Sequence, residues 1–109
     1  MPARPVRLRE RAAVDIDRAV DHYLAEADTD VALRFVEAVE RAIGQIGRSP
    51  HSGSLRFSYE LEIPGLRVRP LARFPHLVFY VVGDDVMDVW RILHTRRDIP
   101  TAMADEIGT

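Results

Sequence analysis

The spacing of apolar residues changes once along this chain, and that change restricts the fold more than any other feature. In residues 12–27 and again in residues 32–46, apolar side chains recur at steps of three and four. Such spacing places them along one side of an α-helix. From residue 66 onward the apolar runs are short, and they alternate with polar residues or are continuous, which is typical of β-strands. The sequence therefore predicts two amphipathic helices followed by a sheet.

Short polar segments set the limits of the two helices. The acidic segment 28–30 separates them, and either Thr29 or Asp30 can cap the second helix. This helix is expected to end before Pro50, because a proline forces the residue that precedes it out of helical dihedral angles. A connection this short brings the two helices side by side as an antiparallel hairpin.

Strand-like runs flank the helices on both sides. Val6 and Leu8 alternate with arginines before the first helix, and residues 55–63 alternate cleanly after the second. The run from Leu77 to Val82 is continuously apolar, so it is expected to be a central strand. Turn-forming residues separate the last three runs, which are predicted as antiparallel neighbours over Leu66–Leu71, His76–Val82 and Val86–Leu93.

This order of elements predicts an α+β fold in one domain over residues 1–109. An N-terminal strand precedes an antiparallel helical hairpin, which packs on a mainly antiparallel sheet of three to four strands. Two alternatives stay open for the C-terminus, a short helix between Arg96 and Ile107 or a flexible tail over residues 100–109. The sheet face away from the hairpin is expected to carry arginines and to be open to a partner.

Several classes of chemistry find no support in the sequence. The chain has no cysteine, which excludes disulfides, thiolate nucleophiles and sulfur ligands. Its four histidines show no metal-ligand spacing, and there is no glycine-rich phosphate loop and no serine-nucleophile motif. We therefore expect neither a metal nor a cofactor. No run is long and apolar enough to cross a membrane, and no signal peptide is evident, so a cytoplasmic protein is expected.

Arginines are the remaining candidates for function, because every one of the 15 basic residues is an arginine. Arg67 and Arg69 are two residues apart on a predicted strand and so share a face. Several guanidinium groups on one sheet face can bind phosphates or an acidic peptide, or can form local salt bridges with the chain's own carboxylates. The other members of this set are Arg73, Arg91, Arg96 and Arg97.

The second half of the chain resembles the C-terminal half of ParE toxins. Their pattern of G-L-R, then f-x-h-x-i-f-Y, then a closing R-v-L-H-x-R-R-D is matched by residues 65–67, 74–80 and 91–98. The segment Ala13-Val14-Asp15-Ile16 with Tyr23, and the segment 49–53, are also similar to that family. The resemblance covers residues 6–100. It implies the ParE/RelE toxin fold, which agrees with the layers predicted from periodicity.

The resemblance also implies a function. ParE toxins belong to type II toxin–antitoxin systems, are associated with inhibition of DNA gyrase, and are neutralised by a cognate antitoxin, here expected to be ParD-like. Their RelE relatives cleave mRNA on the ribosome, which is the alternative function. Target contacts are then expected from the arginines named above together with His94. The candidate antitoxin contacts are Phe35, Val39, Phe79 and Trp90.

A nuclease of the RelE type would need Arg67, Arg69, His94 and Arg97. Such an enzyme must deprotonate a 2′-hydroxyl, stabilise the phosphorane and protonate the leaving oxygen. The arginine expected at the start of the middle strand is absent, since His76 stands there, and no aromatic residue or histidine follows His94. The sequence therefore favours a toxin that acts by binding over an enzyme, with His94 either catalytic or a structural hydrogen-bonding residue.

Overall fold

The predicted helical hairpin is present in the structure, a computed structural model that describes residues 4–107. Helix α1 spans Glu10–Glu26 and helix α2 spans Thr29–Arg48. The cap of α2 is Asp28 rather than the predicted Thr29 or Asp30, because the Asp28 carboxylate accepts a hydrogen bond from Val31 N at 2.9 Å. No helix among the described residues is long and apolar enough to cross a membrane.

The strands are β1 at Val6–Leu8, β2 at Leu66–Pro70, β3 at His76–Val82 and β4 at Met87–His94. They form one sheet in the order β1-β4-β3-β2. The N-terminal strand pairs in parallel with the last strand, and the other pairings are antiparallel. The mainly antiparallel sheet of the sequence prediction is therefore confirmed, with the apolar run in β3 at an interior position as expected.

The helical hairpin covers one face of the sheet and forms the larger core. Phe35 and Ile46 of α2 are fully buried, and they pack in one cluster with Val78 and Tyr80 of β3. Tyr23 of α1 contacts this cluster, with its ring 5.6 Å from that of Phe35. Burial of each large apolar side chain stabilises the fold by about 1.5–3 kcal/mol.

The opposite face of the sheet is covered, which contradicts the expectation of an open, arginine-rich face. A second cluster of buried apolar residues lies there, and helices α3 (Arg56–Glu60) and α4 (Ile99–Ile107) contribute to it. Ala102 and Met103 of α4 are buried in this cluster. The apolar residues of β2 and β3 that point away from the hairpin need this cover, because they would otherwise be exposed to water. Of the two alternatives for the C-terminus, the helix is present up to residue 107, and residues 108 and 109 lie outside the described part.

Helix α3 replaces the strand suggested by the alternation in residues 55–63. Two apolar residues of that run, Phe57 and Leu61, are four apart and therefore also lie on one side of a helix. Phe57 is buried, Leu61 is half-buried, and Tyr59 points to the other side with 77% of its surface exposed. When every second residue is apolar, some apolar residues are also four apart. This short pattern is therefore compatible with either a strand or a helix.

An irregularity in the pairing of β3 with β4 determines the surroundings of the candidate site. Phe79 pairs with Arg91, but the next residue, Tyr80, pairs with Val89, so that Trp90 is an additional residue in β4. Such a β-bulge bends the strand and changes the direction of the side chains beside it. It lies where β1 ends, and the outer edge of β4 is free of strand pairing beyond Val89.

Candidate functional site

A buried ion pair joins the first helix to the last strand. Asp15 of α1 accepts hydrogen bonds from Arg91 Nε and Nη2, both at 2.8 Å, and from the backbone N–H of Ile92 at 2.9 Å. The Asp15 carboxylate thereby provides a hydrogen-bond acceptor for a backbone N–H on the edge of β4, where β1 no longer pairs with this strand. Arg91 also donates to the carbonyl of Ala102 at 3.2 Å, so the same guanidinium group contacts α4. The hydrogen bonds from Arg91 to Asp15 raise the pKa of Arg91, which keeps it charged.

The prediction that Arg91 contacts a target is therefore wrong for this structure. Its side chain is buried, with 6% of the residue exposed, and its donors face Asp15 and Ala102. Asp15, which the helical pattern places largely on the polar side, is also buried. A signal for this burial was present in the sequence, because Asp15 lies three residues after Ala12 and four before Ala19, both on the apolar side of α1.

Next to the ion pair, α1 and the ends of β3 and β4 enclose a cavity of about 400 Å³. It brings His94 and Arg97 of the closing motif together with Tyr23 of the first helix. Two segments that the family resemblance quoted separately, more than 60 residues apart in the chain, thus meet at one place. The residues that line the cavity are Asp15, Arg18, Ala19, His22, Tyr23, His76, Ile92, His94 and Arg97.

His76 is a second buried polar residue of this cavity, in addition to Asp15. Its ring lies 4.9 Å from that of Phe35 and 5.2 Å from that of His94, measured between centroids. Burial, followed by the positive charges of His94 and His22, lowers the pKa of His76 from 6.5 to about 4. The ring is therefore neutral at pH 7. Its Nδ1 atom is buried and has no hydrogen-bond partner among residues 4–107.

His94 has a defined tautomer in its neutral form. Its Nδ1 atom accepts a hydrogen bond from the backbone N–H of Arg96 at 3.0 Å. Because Nδ1 then carries the lone pair, the proton of the neutral ring is on Nε2. The Nε2 atom is a hydrogen-bond donor in this state and offers no lone pair to act as a general base. The geometry supports the structural role that the sequence left open for this histidine.

Arg67 and Arg69 lie side by side on β2, as predicted, but they hold a loop of the chain itself. Arg67 Nη1 donates to the carbonyls of His51 and Gly53 at 3.0 and 2.8 Å. Arg69 donates to Gln45 Oε1 at 3.1 Å and to Ser52 Oγ at 2.8 Å. These contacts fix the segment that follows α2, which is the second upstream segment of the family resemblance.

Tyr80 holds the same loop from inside the core. Its hydroxyl donates to the carbonyl of Pro50 and accepts from the N–H of Gly53, both at 2.9 Å. Gly53 is required here because a Cβ atom would lie 2.5 Å from the Tyr80 hydroxyl oxygen. Tyr80 is thus a core residue, which agrees with the commoner role of a tyrosine at such a position.

The four residues of the nuclease hypothesis form two groups in the structure. His94 and Arg97 line the cavity beside α1, and neither Arg67 nor Arg69 is in its lining. Arg67 and Arg69 instead contact the loop after α2. Among the described residues, no three histidine, aspartate or glutamate side chains are placed to hold a metal ion.

The remaining candidate target residues are exposed but lie in different places. Arg73 is in the turn between β2 and β3 with a φ of 68°, a conformation that side-chain-bearing residues rarely adopt, and it lines a second cleft with Phe74 and α2. Arg96 and Arg97 follow β4 and are both exposed. Of the predicted set, only His94, Arg96 and Arg97 are close together in the chain and accessible at one site.

Three of the four predicted antitoxin contacts are in the chain's own core. Phe35, Val39 and Phe79 have at most 3% of their surface exposed, so a partner cannot reach them in this structure. These residues are apolar and lie on one side of α2 and in the interior strand β3. Contacts between the helices and the sheet bury their side chains. Trp90 is half-buried, and the guanidinium group of Arg9 lies 4.0 Å above its ring.

Comparison with known proteins supports the family resemblance. A family described as "ParE toxin of type II toxin-antitoxin system, parDE" matches residues 6–99. Among solved structures, the chain is similar to one from the "Chromosomal ParDE TA system from P. aeruginosa", with 25% sequence identity and a TM-score of 0.71. That alignment covers 84% of this chain and 96% of the other. No curated protein matches the chain significantly.

Proposed function

Because the chain belongs to the ParE toxin family of type II toxin–antitoxin systems, we propose that it inhibits DNA gyrase by binding and that a ParD-like antitoxin neutralises it. Inhibition of gyrase is typical of this family. The toxin would act in the cytoplasm, where gyrase has its DNA substrate. We favour binding over cleavage because the arginines of the nuclease hypothesis are distributed over two places in the structure. They do not form one assembled ribonuclease site.

The alternative, a RelE-like ribosome-dependent nuclease, has less support from the geometry. Arg67 and Arg69 donate to the loop at residues 51–53 and are separated from His94 and Arg97, which line the cavity beside α1. The neutral form of His94 has its Nδ1 lone pair in a hydrogen bond and so lacks a free base. Phosphoryl transfer needs base, acid and cationic groups around one phosphate, and this arrangement does not provide them.

We assign target binding to the segment His94–Arg97, which follows β4. Both arginines of this segment are exposed and carry a full charge on a surface that the fold leaves accessible. Guanidinium groups bind phosphate and carboxylate in a bidentate manner, which suits either the DNA or an acidic surface of a gyrase–DNA complex. Arg91 is not included, because it stabilises the fold from within.

The antitoxin is expected to contact exposed apolar residues rather than the buried ones predicted from the sequence. Among the described residues, the large apolar side chains with the greatest exposure are Leu24 and Leu33, which lie near the connection of the helical hairpin, and Tyr59 on α3. Partners that fold on binding commonly cover such residues.

An assay of plasmid supercoiling by purified gyrase tests the proposal. The toxin is expected to inhibit supercoiling at micromolar concentration, and addition of the antitoxin should restore it. The double variant Arg96→Glu/Arg97→Glu should weaken inhibition at least tenfold, because two contacts with charged groups become repulsive. The matched control is Arg34→Glu/Arg41→Glu, which reverses two exposed charges on α2.

Two results would contradict the proposal. If the folded toxin leaves gyrase active at micromolar concentration, gyrase is not the target. If instead it cleaves mRNA in translating ribosomes, as primer extension would reveal, the nuclease alternative is correct.

A further inference from the structure

The cavity beside α1 combines positive charge with flat rings. Arg18 and Arg97 line it together with the rings of His22, Tyr23 and His76. The ring of His22 meets that of Tyr23 edge to face, with 5.3 Å between centroids. Neither the gyrase proposal nor the contacts that stabilise the fold account for these residues as a group.

The charge of the cavity is positive. Its single carboxylate, Asp15, is already neutralised by Arg91 through two hydrogen bonds of 2.8 Å. Within residues 4–107, neither Arg18 nor Arg97 has a carboxylate at ion-pair distance. Two arginines without an internal counter-ion at one opening attract an anion, and guanidinium groups match the oxygens of a phosphate in geometry.

One polar side chain of the cavity lining also has a buried atom without a hydrogen-bond partner. His76 is 93% buried, and its Nδ1 atom has no hydrogen-bond partner among the described residues. Native proteins rarely leave a buried polar atom unpaired, and such an atom commonly marks the place of a ligand or water. His94, whose Nδ1 accepts from Arg96 N, has a proton on Nε2 that is available to an acceptor when the ring is neutral.

The size of the cavity indicates more than a simple anion. Its volume of about 400 Å³ is within the usual range for small-molecule sites. An inorganic phosphate would occupy a small part of it. The aromatic side chains of His22 and Tyr23 also line the cavity, and aromatic rings can stack with a planar, unsaturated group such as a nucleobase.

We propose that this cavity binds a nucleoside monophosphate, with the phosphate at Arg18 and Arg97 and the base against the rings of His22 and Tyr23. The ligand is either a free nucleotide or the 5′-phosphorylated end of a strand, since both present the same phosphate and base. The proposal does not rest on gyrase inhibition, since it is argued from the lining of the cavity, although Arg97 is common to both proposals.

Calorimetric titration of the full chain with AMP, inorganic phosphate and adenosine tests this site. AMP is expected to bind more tightly than either of its parts. Arg97→Gln should weaken the binding of both AMP and phosphate about tenfold or more, because it removes a contact with a charged group. The matched control is Arg96→Gln, the neighbouring exposed arginine that is absent from the cavity lining, and it should leave AMP affinity unchanged.

A second variant tests the base. His22 is exposed, so His22→Ala should leave the fold intact while it weakens AMP about fivefold or more and leaves phosphate affinity unchanged. Circular dichroism confirms that each variant is folded. A 5′-phosphorylated dinucleotide that binds as tightly as AMP would identify strand ends as ligands, and exclusion of the dinucleotide would identify free nucleotides.

Three results would overturn the proposal. The first is no binding of any probe to the folded chain at millimolar concentration. The second is equal loss of AMP affinity in Arg97→Gln and Arg96→Gln, which would indicate a general charge effect. The third is equal affinity for AMP and inorganic phosphate, which would limit the site to a bare anion.

Discussion

Substitution of Asp15 by alanine should destabilise this protein more than any substitution on its surface. Asp15 accepts two hydrogen bonds from Arg91 and one from the N–H of Ile92, and both charged side chains are buried. The variant Asp15→Ala leaves a buried guanidinium group with only the carbonyl of Ala102 and leaves the N–H of Ile92 without its partner. Breaking a buried ion pair in this way costs about 3–5 kcal/mol.

This cost is a large part of the stability of a small domain, which is about 5–15 kcal/mol in total. Urea denaturation followed by circular dichroism measures it directly. With a denaturant slope of about 1.5 kcal/mol/M, the midpoint should fall by about 2–3 M. The matched control is Asp17→Ala, which removes an exposed carboxylate from the same helix and should change stability by less than about 0.5 kcal/mol.

A double-mutant cycle separates two effects of Asp15→Ala. One is the loss of the ion pair, and the other is the cost of leaving the Arg91 charge buried without a partner. Asp15→Ala/Arg91→Met removes both charges, so no uncompensated charge remains inside the protein. The double variant is expected to be clearly more stable than the sum of the two single losses predicts. A loss below about 1 kcal/mol for Asp15→Ala, or additive losses in the cycle, would refute the reasoning that this pair is buried and coupled.

Two further perturbations follow from the core. The folded protein holds the pKa of His76 at about 4 rather than 6.5, so the unfolded chain binds a proton more readily and stability should fall from pH 6.5 down to about 4. The loss amounts to about 3 kcal/mol, and unfolding of His76→Gln across this range should show a flatter pH dependence; parallel curves would contradict this prediction. Tyr80→Phe leaves the N–H of Gly53 and the carbonyl of Pro50 unpaired, which should cost about 1–3 kcal/mol in thermal denaturation. An unchanged melting temperature would show that the loop is held by other contacts.

Most of the secondary structure of this chain was predictable because it depends on residues that are close in sequence. The three- and four-residue spacing indicated both long helices, and the continuous apolar run at residues 77–82 indicated an interior strand. The family motifs were likewise readable in order. The strand suggested for residues 55–63 was wrong, because a short helix and a strand can both have apolar residues at these positions.

The candidate site was predictable only in part. His94 and Arg97 were identified in the closing motif, but nothing local indicated that they share a cavity with His76 and five residues of α1. The side-chain contacts of Arg67 could not be predicted either. Whether an arginine on a strand contacts solvent or a loop depends on the position of that loop in the tertiary structure.

The sequence alone determined the two long helices, the strands of the sheet and the family pattern they carry, because periodicity and motifs are properties of neighbouring residues. The tertiary structure alone decided that Arg91 is a buried partner of Asp15, 76 positions away, rather than part of an exposed arginine face. It also decided that both faces of the sheet are covered and that Arg97 and His22 line one cavity. The physical reason is that burial and ion pairing depend on the distance between atoms in space, which local spacing does not encode.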